Sequence, residues 1–426
     1  APGLYLETGT VRCGVVLEGA GADRTTLNGG ESGPTVTISN CDGGTRVSGF
    51  QIRGGVASRG GGVLVRGGAP VITRNTITAN RAFDSTGLAY GYGGGVALLD
   101  ASAVLTDNWI TANEADVGGG IDVEGGTPMI RRNLITQNLA SVGGGLDAYL
   151  FSDGAWISAN TVQRNVAVYG AGFELSGIGA PVVTSNLIVG NTASATGPLT
   201  SYGGGIDAYY SDARIFNNTV ADNRADRGGG LAVEADSFGT PSAVNNLLFG
   251  NVGTRGGGGA ELDAPGISVL SNIFYQNSTD CGGASAWVCS ESSNLFADPM
   301  FVDESVLDFR LRAGSPAIDS GRTEGAPVDD LRGQRRPLDG NADAVAAIDR
   351  GACEYDRNEV LGVEFDSPGS FVWQPVIGAG AYHVYSAPLS SLRVTGFGEC
   401  RDPDDSDITD QLFTEGRPPA VGDGLA

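Results

Sequence analysis

The stretch Asn133-Leu-Ile-Thr-Gln-Asn138-Leu-Ala-Ser-Val-Gly143-Gly-Gly145-Leu-Asp-Ala-Tyr149 is one copy of a unit that recurs between residues 60 and 277. Its first marker is an Asn pair five residues apart. The pair recurs as Asn75/Asn80, Asn108/Asn113, Asn133/Asn138, Asn160/Asn165, Asn186/Asn191, Asn218/Asn223, Asn246/Asn251 and Asn272/Asn277. Its second marker is a glycine triplet, kept in register at 60–62, 93–95, 118–120, 143–145, 203–205, 228–230 and 257–259, with Gly170-Ala-Gly172 as a variant. Successive first Asn residues are 33, 25, 27, 26, 32, 28 and 26 residues apart. Two markers holding register over eight copies define a solenoid.

The apolar positions select the kind of solenoid. Two residues after each first Asn stand Ile77, Ile110, Ile135, Val162, Ile188, Val220, Leu248 and Phe274. Three residues before it stand Ile72, Leu105, Ile130, Ile157, Val183, Ile215, Ala243 and Val269. These are β-rich runs of a few residues without a helical period. Helical repeats are thereby excluded, and a right-handed parallel β-helix with three short strands per coil remains. Asn suits two of the bends because it tolerates left-handed backbone and can form amide ladders. Glycine suits the third, tighter bend.

Composition agrees. The 69 glycines have no collagen period, and 41% hydrophobic residues argue against disorder. Basic residues number 26, every one an Arg, against 49 acidic, for a net charge of −23. Such a surface repels nucleic acid and anionic lipid and favours multivalent cations. No apolar run is long enough for a transmembrane helix. Cys13 and Cys41 are about one repeat apart, Cys281 and Cys289 close a short loop, and neither pair has a metal-binding spacing. Disulfides in an oxidising compartment follow, and with them an extracellular or cell-surface location. Cys353 and Cys400 are left over.

Residues 3–300, with openings such as Gly19-Ala-Gly-Ala-Asp-Arg and Val47-Ser-Gly-Phe-Gln-Ile, resemble the right-handed parallel β-helix repeat proteins secreted by bacteria. Asp298-Pro-Met-Phe, the run Leu311-Arg-Ala-Gly-Ser-Pro-Ala-Ile-Asp and Asp349-Arg-Gly-Ala-Cys-Glu-Tyr resemble a choice-of-anchor Q segment, which implies an end segment over 301–358 packing on the last coils. Residues 359–426, with Phe371-Val-Trp-Gln-Pro-Val, resemble part of a fibronectin type III-like β-sandwich. The resemblance implies an all-β chain cut at both ends, with coil ends that could support self-association into filaments.

One polar column stands out. Two residues past the glycine bends come Leu64, Ala97, Asp122, Asp147, Glu174, Asp207, Ala232 and Glu261. Strand alternation directs these side chains away from the core, so four acids in successive coils should form an outward-facing column with a coil spacing of about 4.8 Å. Their mutual repulsion should raise their pKa values or recruit Ca2+. Asp122, Asp147, Glu174 and Asp207 are therefore the candidate catalytic residues of a polysaccharide lyase or glycoside hydrolase. The two longest coils carry insertions 81–92 and 192–202 at one edge. Tyr90, Tyr92 and Tyr202 there, with Tyr149 and Tyr209 two residues past the acids, are the candidate stacking surface for a polysaccharide or cell-surface glycan. The only histidine, His383, lies outside the solenoid, so Ser-His-Asp chemistry is excluded there. Asp339, Asn341 and Asp343, with Asp349 nearby, partly copy an EF-hand loop and form a second candidate calcium site. The acid run Asp402, Asp404, Asp405 and Asp407 reads as a solvated loop. The reading favours adhesion, glycan binding or assembly, with a polysaccharide-degrading enzyme as the alternative.

Overall fold

In the computed structural model, residues 1–357 are described apart from 85–88, 151–153, 178, 235–239 and 292. Beyond 357 only the backbone of six short strands is described. The chain divides into one unit over Ala1–Tyr355 and another over Asp356–Ala426.

The first unit is a parallel β-helix. Each coil places one strand before its Asn pair, one within it and one after the glycine bend, as in Met129–Arg131, Leu134–Thr136 and Leu146–Tyr149. Like strands of successive coils pair in parallel, giving sheets of ten, eleven and eleven strands. Because pairing is residue for residue, Ile77, Ile110, Ile135, Val162 and Ile188 form one fully buried column. Burial of such columns from all three sheets into one continuous core supplies the main favourable term.

Both Asn columns are hydrogen-bond ladders. Asn138 Nδ2 donates to Ile110 O and to Asn165 Oδ1, each at 3.0 Å, while Asn138 Oδ1 accepts from Asn113 N and Nδ2. Asn294 extends the first ladder beyond the eight copies. The left-handed backbone, expected of the Asn itself, belongs to the preceding residue: Arg132 has φ 53° and Gln137 φ 57°. The asparagines contribute their amides, not an unusual φ.

Residues 301–355 lie along the outside of the coils spanning 185–295. Phe301–Asp303 and Asp308–Leu311 pair antiparallel, and Phe301 and Phe309 pack edge-on against Phe249. Asn217 Nδ2 donates to Asp349 O, Asn245 Nδ2 to Arg322 O and Ser185 Oγ to Asp329 O. Arg350 Nη1 donates to the carbonyls of Asn272 and Ser293, and its Nε and Nη2 to Ser320 O. This segment thus straps several coils laterally.

Cys13–Cys41 and Cys281–Cys289 are disulfide-bonded, and Cys353 is a buried free thiol. No helix among the described residues is long and apolar enough to cross a membrane. In the second unit, Glu364–Ser367, Ser370–Val372 and Leu412–Thr414 form one antiparallel sheet. Tyr385–Pro388, Glu399–Cys400 and Asp423–Leu425 form another. His383 and Asp402, Asp404, Asp405 and Asp407 lie outside the described residues.

Candidate functional site

The strands Ile121–Glu124, Leu146–Tyr149, Phe173–Ser176 and Ile206–Tyr209 pair in register, which aligns Asp122, Asp147, Glu174 and Asp207. Their neighbours Ile121 and Val123 enter the core, so the acids point away from it, as alternation requires. The expected solvent exposure is corrected by the structure: all four are buried, Asp122 completely. The bend covers them. At Gly143, with φ 62°, an added Cβ would come within 2.6 Å of Asp147 Cβ, and Gly118 and Gly203 relate in the same way to Asp122 and Asp207. The chain entering each glycine bend therefore lies over the acid column, and only glycine permits that approach.

Burial is the main cause of the electrostatics here. It pushes the Asp147 carboxyl up to about 7, helped by the charge of Glu124. Asp207 is pushed up to about 8 by burial and by the charge of Glu234. Asp122 and Glu174 are raised well above the usual carboxylate range, first by burial and then by Asp147 and Asp207 respectively. Both Asp122 oxygens, Glu174 Oε2 and Asp207 Oδ1 are buried without a hydrogen-bond partner. Burial thus favours the neutral form of all four carboxyl groups. Glu261, farther along the column, is compensated differently: Arg227 Nη1 and the Gly257 amide donate to it at 2.8 and 2.6 Å.

Two rows flank the buried acids. One consists of the residues just before the glycine bends, Arg59, Tyr92, Val117, Val142, Tyr169, Tyr202 and Arg227, bridged coil to coil. Tyr169 and Tyr202 stack with centroids 6.4 Å apart, and Arg59 lies 4.3 Å over the Tyr92 ring while pairing with Glu124 at 2.6 Å. The other row is Glu124, Tyr149, Ser176, Tyr209 and Glu234. Tyr149 and Tyr209 are 44% and 45% exposed, and Tyr210 meets Tyr209 edge-on at 4.5 Å.

Residues 8–248 match the family described as right-handed β-helix region, more than half of the chain. The chain belongs to the right-handed β-helix family. Among solved structures, pectate lyase Pel9A resembles this β-helix with a TM-score of 0.44 and 14% identity, covering 83% of this chain and 86% of that one. The complex of XylC with xylose gives 0.35 and 12%, over 76% and 67%. No curated protein matches the sequence significantly.

Within this β-helix, the expected residues separate into three groups. Asp122, Asp147, Glu174 and Asp207 come together but out of reach of a polymer. Tyr149 and Tyr209 are displayed on the sheet, and Tyr90 is exposed at the edge of insertion 81–92, part of which is not described. Tyr92 and Tyr202 are half-buried members of the bend row and not loop tips. Asp339 Oδ2, Asn341 Oδ1 and Asp343 Oδ1 accept from the amides of Ala344, Asp343 and Val345, the last two bonds being Asx turns. Asp349 is buried, accepting from Asp319 N and Tyr355 N. Among the described residues no three acids, cysteines or histidines converge on a metal-sized point. Sequence reasoning missed Arg59, Tyr169 and Arg227, although each immediately precedes a glycine bend.

Proposed function

We propose that this β-helix is an extracellular or cell-surface glycan-binding protein whose contact face is the row bearing Tyr149 and Tyr209. The carrying observation is the display of these two rings on a sheet paired in register, bordered by Glu124, Ser176 and Glu234. Tyr149 and Tyr209 are two coils apart, about 10 Å, which is close to a disaccharide repeat in an extended polysaccharide. Aromatic faces supply apolar area for a pyranose ring, and the adjoining carboxylates and hydroxyls accept and exchange hydrogen bonds. The two disulfides support residence outside the cytosol.

A hydrolase or lyase is the second reading, favoured by the Glu174–Asp207 carboxyl pair, since carboxyl groups raised by burial suit proton donation. Their cover opposes it. Affinity electrophoresis against plant and microbial polysaccharides tests the first reading: retardation of the wild type that is lost in Tyr149→Ala/Tyr209→Ala is expected. Release of reducing ends or unsaturated products by the wild type, abolished by Glu174→Gln, would instead establish the second. Light scattering checks self-association through the coil ends separately.

A further inference from the structure

On the neighbouring sheet, the lateral strap closes a cleft of about 260 Å³ that the glycan face does not use. Its floor is the outer surface of Met129–Arg131, Trp156–Ser158 and Val182–Thr184. Its wall is the strap turn Pro327–Asp330. The wall is fixed: Asp330 accepts from the amides of Arg332, Gln334 and Glu354, and Ser185 Oγ ties the strap at Asp329 O. Two polar atoms of cleft-lining residues are buried without hydrogen-bond partners, Arg131 Nε and Thr184 Oγ1. A buried donor left unmade is costly, so two in one cavity mark a place prepared for a polar guest. Ser158 stands between them in register, and two residues before it on the same strand Trp156 remains 42% exposed.

We infer that this cleft binds a single neutral hexopyranose unit. The indole of Trp156 and the thioether of Met129 offer the apolar surface on which the C–H face of such a ring packs. Arg131 Nε–H donates, the Thr184 and Ser158 hydroxyls donate or accept, and the Asp329 carboxylate accepts, matching a ring of alternating hydroxyls. An acidic sugar is disfavoured because Asp329 and Asp330 both line the cleft in a chain of net charge −23. The volume is below the usual range for drug-sized ligands and suits one ring. The site is independent of Tyr149 and Tyr209.

The test uses the intact chain with glucose, galactose, mannose and glucuronate, by saturation-transfer NMR and calorimetry. At least one neutral hexose should saturate with a Kd on the order of 1 mM, as expected of so small a ligand. Trp156→Ala should weaken it tenfold or more, and Thr184→Val or Arg131→Gln several-fold, while Tyr149→Ala leaves it unchanged. Thermal melts confirm that each variant is folded; the Trp156 ring is half-exposed, and Thr184→Val preserves shape. No saturable neutral sugar, preference for glucuronate, or binding that survives Trp156→Ala would each overturn the inference. Loss of binding in Tyr149→Ala alone would assign the sugar to the glycan face and overturn the inference equally.

Discussion

Glu174 and Asp207 are register partners on neighbouring strands of the third sheet, and both carboxyl groups are buried. Burial raises the pKa of both, so the fold carries protons that the unfolded chain would release near pH 4.

Stability should therefore fall as pH rises. Asp147 and Asp207, pushed to about 7 and about 8, hold protons between pH 4 and 8 that the unfolded state does not. Their contribution is fully present below about pH 4 and is lost as pH rises through 7 to 8. Asp107, lowered mainly by its hydrogen bond from Arg132, works oppositely and loses its contribution as pH falls below about 4. Thermal melts should peak near pH 4 to 5 and decline toward pH 8. A flat profile over that interval would show that the acids are not held neutral.

Asp147→Asn should stabilise the protein at pH 8 and change little at pH 5. The interval from an ordinary Asp to about 7 corresponds at most to about 4 kcal/mol. Denaturant midpoints at the two pH values check both sign and size. A destabilised variant at pH 8 would mean that the ionised Asp147 carboxylate is satisfied by a partner in the fold.

Asn138→Ala should be among the costliest single substitutions in the coils. It leaves Asn113 N and Nδ2 without their acceptor and removes the side-chain donor to Ile110 O, in a buried bend. At roughly 1–3 kcal/mol per orphaned group, a loss of several kcal/mol is expected in urea melts. A loss below about 1 kcal/mol would deny the ladder a structural role.

Cys353 should resist alkylation in the folded chain. Burial pushes its thiol up to about 12 and removes it from solvent. Mass spectrometry after iodoacetamide at pH 8 should find it unmodified until denaturant is added, and peptide mapping should recover Cys13–Cys41 and Cys281–Cys289.

Calcium should leave the melting temperature unchanged. Asp339, Asn341 and Asp343 already accept backbone amides, and the buried column holds its acids in a line, not around a point. A calcium-dependent rise abolished by chelator and by Asp343→Ala would restore the calcium loop suggested by the sequence.

The β-helix was legible because its signals are locked to the coil period: Ile135 stacks between Ile110 and Val162, and Asn138 bonds to the asparagines on both sides. The direction of Asp147 was legible too, since alternation within a strand is local. Its burial was not, because the cover comes from the chain entering the Gly143 bend, a tertiary contact that no strand pattern encodes. Trp156 escaped for a similar reason. It occupies an ordinary outward position between Met129 and Val182, and only the strap turn at Pro327–Asp330, distant in sequence, makes a cleft beside it.

The Arg350 guanidinium, bonded at once to two coil carbonyls and to Ser320, has a mechanical consequence. Solenoid coils touch only their neighbours and can peel away singly. Here Ser185, Asn217, Asn245 and Asn272 are all stitched to the same strap, so their coils must release together. Stretched between its ends, the protein should first pay out chain in small steps, about 90 Å for each unstrapped coil of ordinary length. A single larger rupture should follow when the strapped block gives way, making one part of the β-helix a graded extensible spring and the other a brittle clasp.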